Sequence, residues 1–197
     1  MSVKRHIVLV GLPGAGKTTI GQLAAAALGA PFLDLDAAIE RRAGKSISRL
    51  FAENGEAAFR ELERLEMEAA LEAPPSVIAP GGGWAAHPGN LEAAAVRALT
   101  VYLRVAPDVA AERVVPTTGG RHRRADSGEL TADGEVLTAD IRPLLAGPNI
   151  AERVGELYRE RRVFYERCEV TVPADPADPG VVAREVANLA RSLAGWY

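Results

Sequence analysis

The stretch His6-Ile7-Val8-Leu9-Val10-Gly11-Leu12-Pro13-Gly14-Ala15-Gly16-Lys17-Thr18 decides how this chain is read. A run of strand-forming residues leads straight into a glycine-rich turn. An Ala/Leu-rich helical run follows over 18–28, and Gly29 stops it. The turn satisfies G-x-x-x-x-G-K-[ST] between a predicted strand and a predicted helix. Its glycines let the backbone curl so that N–H groups point inward at phosphate oxygens. The N-terminus of the following helix adds partial positive charge. Lys17 supplies a cation for the β- and γ-phosphates, and the Thr18 hydroxyl is placed to ligate Mg²⁺. The predicted ATP-binding set in this loop is Gly14, Ala15, Gly16, Lys17, Thr18 and Thr19, with Lys17 also catalytic. The loop reads as a nucleoside triphosphate site but leaves the acceptor open. A GTPase would add a base-reading N-K-x-D motif, which is absent from the sequence, and the chain is short for a motor ATPase. A compact kinase is favoured.

Working outward, short β-like runs at 32–35, 77–79, 100–104 and 170–172 alternate with helical stretches at 37–43, 46–54, 56–71, 90–98, 107–115, 150–167 and 180–193. That alternation predicts an α/β fold, a parallel sheet with helices on both faces. Pro107 suits the first position of its helix, and Asn149 can cap the helix that begins at Ile150. Residues 116–138 are rich in Gly, Thr, Asp and Arg with little apolar periodicity, and read as a long mobile loop. The 197 residues are expected to form one domain, 1–197. A hydrophobic fraction of 48% supports a buried core. A net charge of −3 argues against recruitment of nucleic acid or an anionic membrane surface. The single cysteine, Cys168, excludes an internal disulfide and fits a reducing compartment, where it reads as a small apolar residue. One cysteine and three scattered histidines form no zinc cluster. The first strand breaks at Gly11 too soon for a signal peptide, and no run approaches the ~20 apolar residues of a membrane span. A cytoplasmic protein is expected.

The acceptor side is read from weaker patterns. Asp34 and Asp36, two apart on extended chain, would face the same side at the crevice end of the sheet. One could hold Mg²⁺ through water while the other orients an acceptor hydroxyl and takes its proton; alternatively, one of them caps the helix near Ala37. Arg60 and Glu63 share a helix face at i, i+3, either as part of a site or as a solvated ion pair. Gly81-Gly82-Gly83 after a strand removes every side chain where something approaches the backbone, or is simply a flexible turn. Arg142 and Arg161 have the side chain best shaped to grip a carboxylate or phosphate, whereas Arg162 points about 100° away from Arg161.

Together, G-L-P-G-A-G-K-T at 11–18, D-L-D at 34–36, F-R-E-L-E at 59–63, G-G-G at 81–83, R-P-L-L at 142–145 and R-x-x-x-Y at 161–165 resemble the shikimate kinase family in order and spacing. The resemblance runs from about His6 to Tyr165, with a weaker tail through Pro179. It implies the three-layer P-loop fold of nucleoside-monophosphate kinases, with a five-stranded parallel sheet in the order 2-3-1-4-5. It also implies a substrate-binding helical region at about 34–72 and a lid at about 113–147. The implied reaction is ATP plus shikimate to ADP and 3-phosphoshikimate, in aromatic amino-acid biosynthesis, by a monomer. Carried over, Asp36, Arg60, Gly81, Gly82, Gly83 and Arg161 would bind shikimate, with Asp36 also catalytic. Asp34 and Thr18 would serve Mg²⁺. Arg142, also catalytic, would swing onto the phosphates, and Arg113 and Pro179 would border the adenine. The chain departs from the family in a longer segment between Arg113 and Arg142, which contains Arg121-His122-Arg123-Arg124, and in its acidic, proline-rich stretch 173–178.

Two other readings stand beside this one: a kinase for another small metabolite such as gluconate, and a nucleotide-binding module without catalysis. The chain lacks the HP-x-x-N-x-x-K-M run of gluconate kinases, and it keeps Lys17, Thr18, Asp34 and Asp36 together. Lys17→Ala should abolish phosphoryl transfer and leave the fold intact, because the lysine neutralises charge on the transferring group. A steady-state assay in which the variant retains more than about a tenth of wild-type kcat would overturn the P-loop mechanism.

Overall fold

Every residue of β1 (His6–Val10) is buried, which requires cover on both faces of the strand. The computed structural model describes residues 4–114, 149–175 and 177–197. The expected loop at 116–138, most of the expected lid and Arg142 therefore lie outside the described residues. After β1 come α1 (Lys17–Leu28), β2 (Phe32–Asp34), α2 (Leu35–Ala43), α3 (Ile47–Glu72) and β3 (Val77–Ala79). A 3₁₀ turn (Trp84–Ala86), α4 (Asn90–Ala95), β4 (Ala98–Arg104), α5 (Pro107–Val114), α6 (Ile150–Tyr165), β5 (Val170–Pro173) and α7 (Pro179–Leu193) complete the order.

Among the described residues the strands form one five-stranded sheet in the order β2-β3-β1-β4-β5. All neighbours are parallel, with Ile7 beside Val77, Val10 beside Tyr102, Asp34 beside Ala79, and Arg104 beside Pro173. This is the expected architecture. Val77–Ala79 and most of Ala98–Arg104 are also buried, and α1 packs on both α7 and β3 while α4 packs on β4. Because the strands are parallel, their C-terminal ends emerge along one edge, the place where open α/β sheets bind ligands. The segments that leave this edge are the Gly11 turn, α2 with Asp36, Gly81–Gly83, the start of α5, and the stretch after β5.

Several boundaries differ from the sequence reading, for local reasons. Phe32–Asp34 ends one residue early because Asp34 caps α2, its Oδ1 accepting the Ala37 N–H at 3.3 Å. Asp36 therefore stands in the first turn of a helix, and the argument that strand alternation aligns it with Asp34 fails. The helices expected at 46–54 and 56–71 are continuous except at Gly55, whose φ of 78° breaks the helical path. Helix α4 stops at Ala95 instead of 98, since Ala98 already pairs with His6 in the sheet. Asn149 caps α6 as expected, accepting from the Glu152 N–H at 3.2 Å. Cys168 is half-buried, and burial pushes its thiol up to about 12, so it stays protonated at neutral pH.

The glycine-rich turn is fitted against α5. A Cβ at Gly14 would lie 2.2 Å from the Ala110 carbonyl oxygen and 3.0 Å from Val114 Cγ2, and Gly14 has φ of 81°. Gly14→Ala therefore meets backbone that cannot yield and a left-handed conformation as well. The expected cost is about 2–5 kcal/mol, a fall in Tm of roughly 4–20 °C. Thermal unfolding of the variant within about 2 °C of wild type would show that the turn does not abut α5.

Candidate active site

The phosphate-loop side is built first by the backbone. Gly16, with φ of 85°, turns the chain so that α1 starts at Lys17 with its N-terminus facing the loop. Lys17 is 6% exposed, and its Nζ donates to the carbonyls of Gly11 and Leu12, each at 3.0 Å. Those two bonds hold the ammonium inside the curl of the loop. The Thr18 hydroxyl donates to Asp34 Oδ2 at 2.8 Å. Asp34 thus has two tasks, capping α2 with one oxygen and meeting the first turn of α1 with the other. Gly14 and Gly16 are half-buried, Ala15 is buried, and Thr19 is exposed.

Thr18 and Asp34 offer adjacent oxygen donors of the kind a hard cation takes. No group of three or more His, Cys, Asp or Glu side chains suited to a metal occurs among the described residues. A Mg²⁺ bound through one or two protein oxygens and substrate phosphates needs no such group.

The acceptor side is organised by Gly81-Gly82-Gly83, and each glycine faces a different partner. A Cβ on Gly81 would stand 2.9 Å from Asp36 Oδ1 and 3.2 Å from Glu63 Oε1. One on Gly82 would press on the phosphate loop, 3.1 Å from Pro13 Cδ and 3.3 Å from the Gly11 oxygen. One on Gly83 would meet two guanidinium groups, 3.1 Å from Arg60 Nη2 and 3.4 Å from Arg161 Nη2. The three glycines are needed for space: none of them is among the residues with positive φ. The turn is anchored from α6, where the Tyr165 hydroxyl donates to the Gly82 carbonyl at 2.5 Å. It is continued by the Trp84–Ala86 turn, whose Trp84 carbonyl accepts from Asn90 Nδ2 at 2.8 Å.

The two arginines arrive from helices distant in sequence. Arg60 on α3 is held by carboxylates on both sides: Nη1 donates to Glu63 Oε2 at 2.8 Å, and Nη2 donates to Glu56 Oε1 at 3.0 Å. Glu63 is 2% exposed, so the pair is not the solvated one that sequence alone allowed. Arg161 shares the buried stripe Val154, Leu157, Tyr165 of α6 and is 8% exposed. Arg162 lies off that stripe, with its side chain 55% exposed and paired with Glu166 at 2.6 Å.

Of the remaining expected residues, Arg113 on α5 donates to the Ala174 carbonyl at 3.2 Å, tying α5 to the stretch after β5. Asp175 in that stretch accepts the Ala106 N–H at 2.6 Å, and Pro179 is the exposed first residue of α7. Sequence reading missed Pro13 and Glu56 as neighbours of the site, and left Glu63 undecided. Glu63 had a signal: it interrupts the apolar spacing of Phe59, Met67 and Ala70 with a carboxylate, and a charge on a core stripe must be paired.

The sheet order, the phosphate loop and its lysine define a P-loop kinase. The sequence profile of the family described as shikimate kinase matches residues 13–127. Among relatives, a shikimate kinase of Mycobacterium avium is 40% identical over 92% of this chain and 90% of its own length. One of Mycobacterium tuberculosis is 39% identical over 91% and 89%. The solved shikimate kinase of Acinetobacter baumannii in complex with shikimate has a TM-score of 0.80 at 28% identity, covering 97% of this chain and 95% of that one. That of Bacteroides thetaiotaomicron has a TM-score of 0.76 at 32% identity, covering 97% and 99%. A gluconokinase of Sinorhizobium meliloti, at 18% identity and a TM-score of 0.54, shares the fold alone. The chain belongs to the shikimate kinase family.

Proposed function

We propose that this chain phosphorylates shikimate, with ATP as donor and 3-phosphoshikimate and ADP as products, as a step of aromatic amino-acid biosynthesis. One observation carries the reading: Arg60 and Arg161 converge on Gly83 while the adjoining Gly82 packs against the phosphate loop. Two guanidinium groups beside a phosphate loop suit an acceptor that carries one carboxylate, because arginine grips carboxylates bidentately. No comparable observation favours gluconate.

In this reading the shikimate carboxylate lies between Arg60 and Arg161, and its ring rests on Gly81–Gly83, where no side chain intrudes. Asp36, next to Gly81, orients the acceptor hydroxyl and accepts its proton. The hydroxyl oxygen bonds to the γ-phosphorus as the bond to the β–γ bridging oxygen breaks and ADP leaves. Gly14, Ala15, Gly16, Lys17, Thr18 and Thr19 cradle the phosphates. Arg142, outside the described residues, joins them through its motif, and Arg113 and Pro179 border the adenine. Thr18 and Asp34 would hold Mg²⁺, which when bound neutralises charge on the β- and γ-phosphates. Among the described residues no helix is long and apolar enough to cross a membrane. We place the enzyme in the cytoplasm, as a monomer that engages neither nucleic acid nor membrane.

Arg60→Ala and Arg161→Ala should each weaken shikimate binding by about 2–4 kcal/mol, and Arg162→Ala should change it little. Titration of shikimate into the three variants checks this, and an effect of Arg162 without one of Arg161 would sink the assignment. The function itself is tested by coupled ADP release with shikimate, with gluconate and with no acceptor; turnover is expected with shikimate alone. In the same assay Asp36→Asn should lower kcat by about 10²–10⁴-fold while ATP affinity stays near wild type. Loss of Mg²⁺-dependent ATP binding with intact shikimate affinity would mean that Asp34 and Asp36 exchange roles.

A further inference from the structure

The Gly81–Gly83 turn keeps its own shape by local bonds. The Gly81 carbonyl accepts the Trp84 N–H at 3.1 Å, and the Gly83 carbonyl accepts the Ala86 N–H at 3.1 Å. Those bonds lie inside the turn and cannot set its distance from any other segment. Three residues without side chains also give it nothing to interlock with its neighbours. The Gly82 carbonyl is different: it accepts the Tyr165 hydroxyl at 2.5 Å, from a residue 83 positions later in the chain.

Tyr165 is itself held firmly. It is the last residue of α6, it is buried, and its ring lies against the Tyr102 ring of β4, with centroids 5.3 Å apart and planes at 31°. Tyr102 pairs in the sheet with Val10, the residue before the phosphate loop. Gly11, the first residue of that loop, is fitted to the same strand, since a Cβ there would stand 2.7 Å from the Leu103 carbonyl oxygen. A closed circuit results. It runs from the phosphate loop to β4, through the two tyrosine rings to the Gly82 carbonyl, and back to the loop where Gly82 lies against Pro13 and Gly11. Arg161, four residues before Tyr165 on the same helix face, reaches the same turn at Gly83.

We propose that Tyr165 is a positioning residue for phosphoryl transfer: its hydroxyl fixes the turn that carries the acceptor at reacting distance from the phosphate loop. This rests on the proposed seat of shikimate over Gly81–Gly83. Affinity and alignment are then carried by different groups. Arg60, Arg161 and Asp36 grip the acceptor and the phosphate loop grips the nucleotide, so removing the hydroxyl leaves both sets of contacts in place. What is lost is the tie between turn and loop. The buried Gly82 carbonyl, having lost this donor, moves toward another partner or toward water. The acceptor hydroxyl then spends less time in line with the γ-phosphorus, and transfer slows although both substrates are bound. Tyr165 takes no proton and touches no reacting atom in this scheme.

The Tyr102 hydroxyl provides the control. It is buried in the same ring pair, yet it has no hydrogen-bond partner among the described residues. Tyr102→Phe therefore removes a hydroxyl from the neighbouring ring without touching the turn.

The test is single-turnover phosphorylation of shikimate with both substrates saturating, alongside separate titrations of shikimate and ATP, for the wild type, Tyr165→Phe and Tyr102→Phe. Tyr165→Phe should slow transfer about 5- to 50-fold, short of the ~10²-fold that a displacement of about 1 Å can cost. Its Kd for each substrate should stay within about threefold of wild type, and Tyr102→Phe should match wild type within about twofold in rate and in both affinities. A merely structural tyrosine would lower Tm and leave the saturated rate per folded molecule unchanged. Saturated transfer by Tyr165→Phe within about twofold of wild type, or an equal loss in Tyr102→Phe, would overturn the inference and leave the proposed function standing. So would a defect that more shikimate abolishes, since that is lost affinity. Should Tyr165→Phe fail to fold, a crystal structure of the wild type with shikimate and a non-hydrolysable ATP analogue decides. The Tyr165 hydroxyl must remain within about 3 Å of the Gly82 carbonyl oxygen, and a separation beyond about 3.5 Å breaks the circuit and the inference with it. Absence of any shikimate phosphorylation by the wild type would instead overturn the proposed function on which this rests.

Discussion

Gly82 lies so close to the phosphate loop that a single added carbon would press on Pro13 and on the Gly11 carbonyl. The Tyr165 hydroxyl holds it there through the Gly82 carbonyl. Much of the site depends on this contact of backbone with backbone. It sets the distance between the phosphate loop after β1 and the turn after β3, and hence between donor and acceptor in the proposed reaction. Phosphoryl transfer gains mainly from alignment, so the enzyme needs the two loops at a fixed separation more than it needs a reactive side chain. Glycine serves here through its absent side chain and not through unusual torsions.

Charge is arranged around that contact with the same economy. Arg60 is fixed by Glu56 and Glu63 before any ligand arrives, so little side-chain freedom remains to be lost on binding. Glu63 is buried and would be costly without its arginine, which makes the ion pair a means of orientation more than a source of stability. Asp34 joins α2 to the start of α1, so the second strand, the helix carrying Asp36 and the phosphate loop are tied through one carboxylate. Lys17, bonded to two carbonyls of its own loop, is likewise held in place by backbone.

How much of this was legible in the sequence depended on how local each cause is. The strand–turn–helix at 6–18 could be read because a single motif carries both its fold and its chemistry. The sheet order followed from the family pattern and is what the strands adopt. Helical spacing separated Arg162 from Arg161, and the family motif singled out Arg161; a change of one position rotates a side chain from the core stripe to solvent. The pairing of Asp34 with Asp36 was misjudged, because a cap formed by Asp34 turns the chain into a helix one residue before strand alternation would have aligned them.

By itself the sequence determined the P-loop, the alternation of strands and helices, and the set of residue types that can meet a nucleotide, a divalent ion and a carboxylate. Those are matters of short-range order and of chemistry carried within a few residues. Only the tertiary structure decided that Gly81, Gly82 and Gly83 face the carboxylates, the phosphate loop and the arginines in turn. It also decided that Arg60 and Arg161 share a corner beside Gly83. Such relations join segments as far apart in sequence as Arg60 and Arg161, and they exist only once a parallel sheet has brought the C-terminal ends of its strands to one edge.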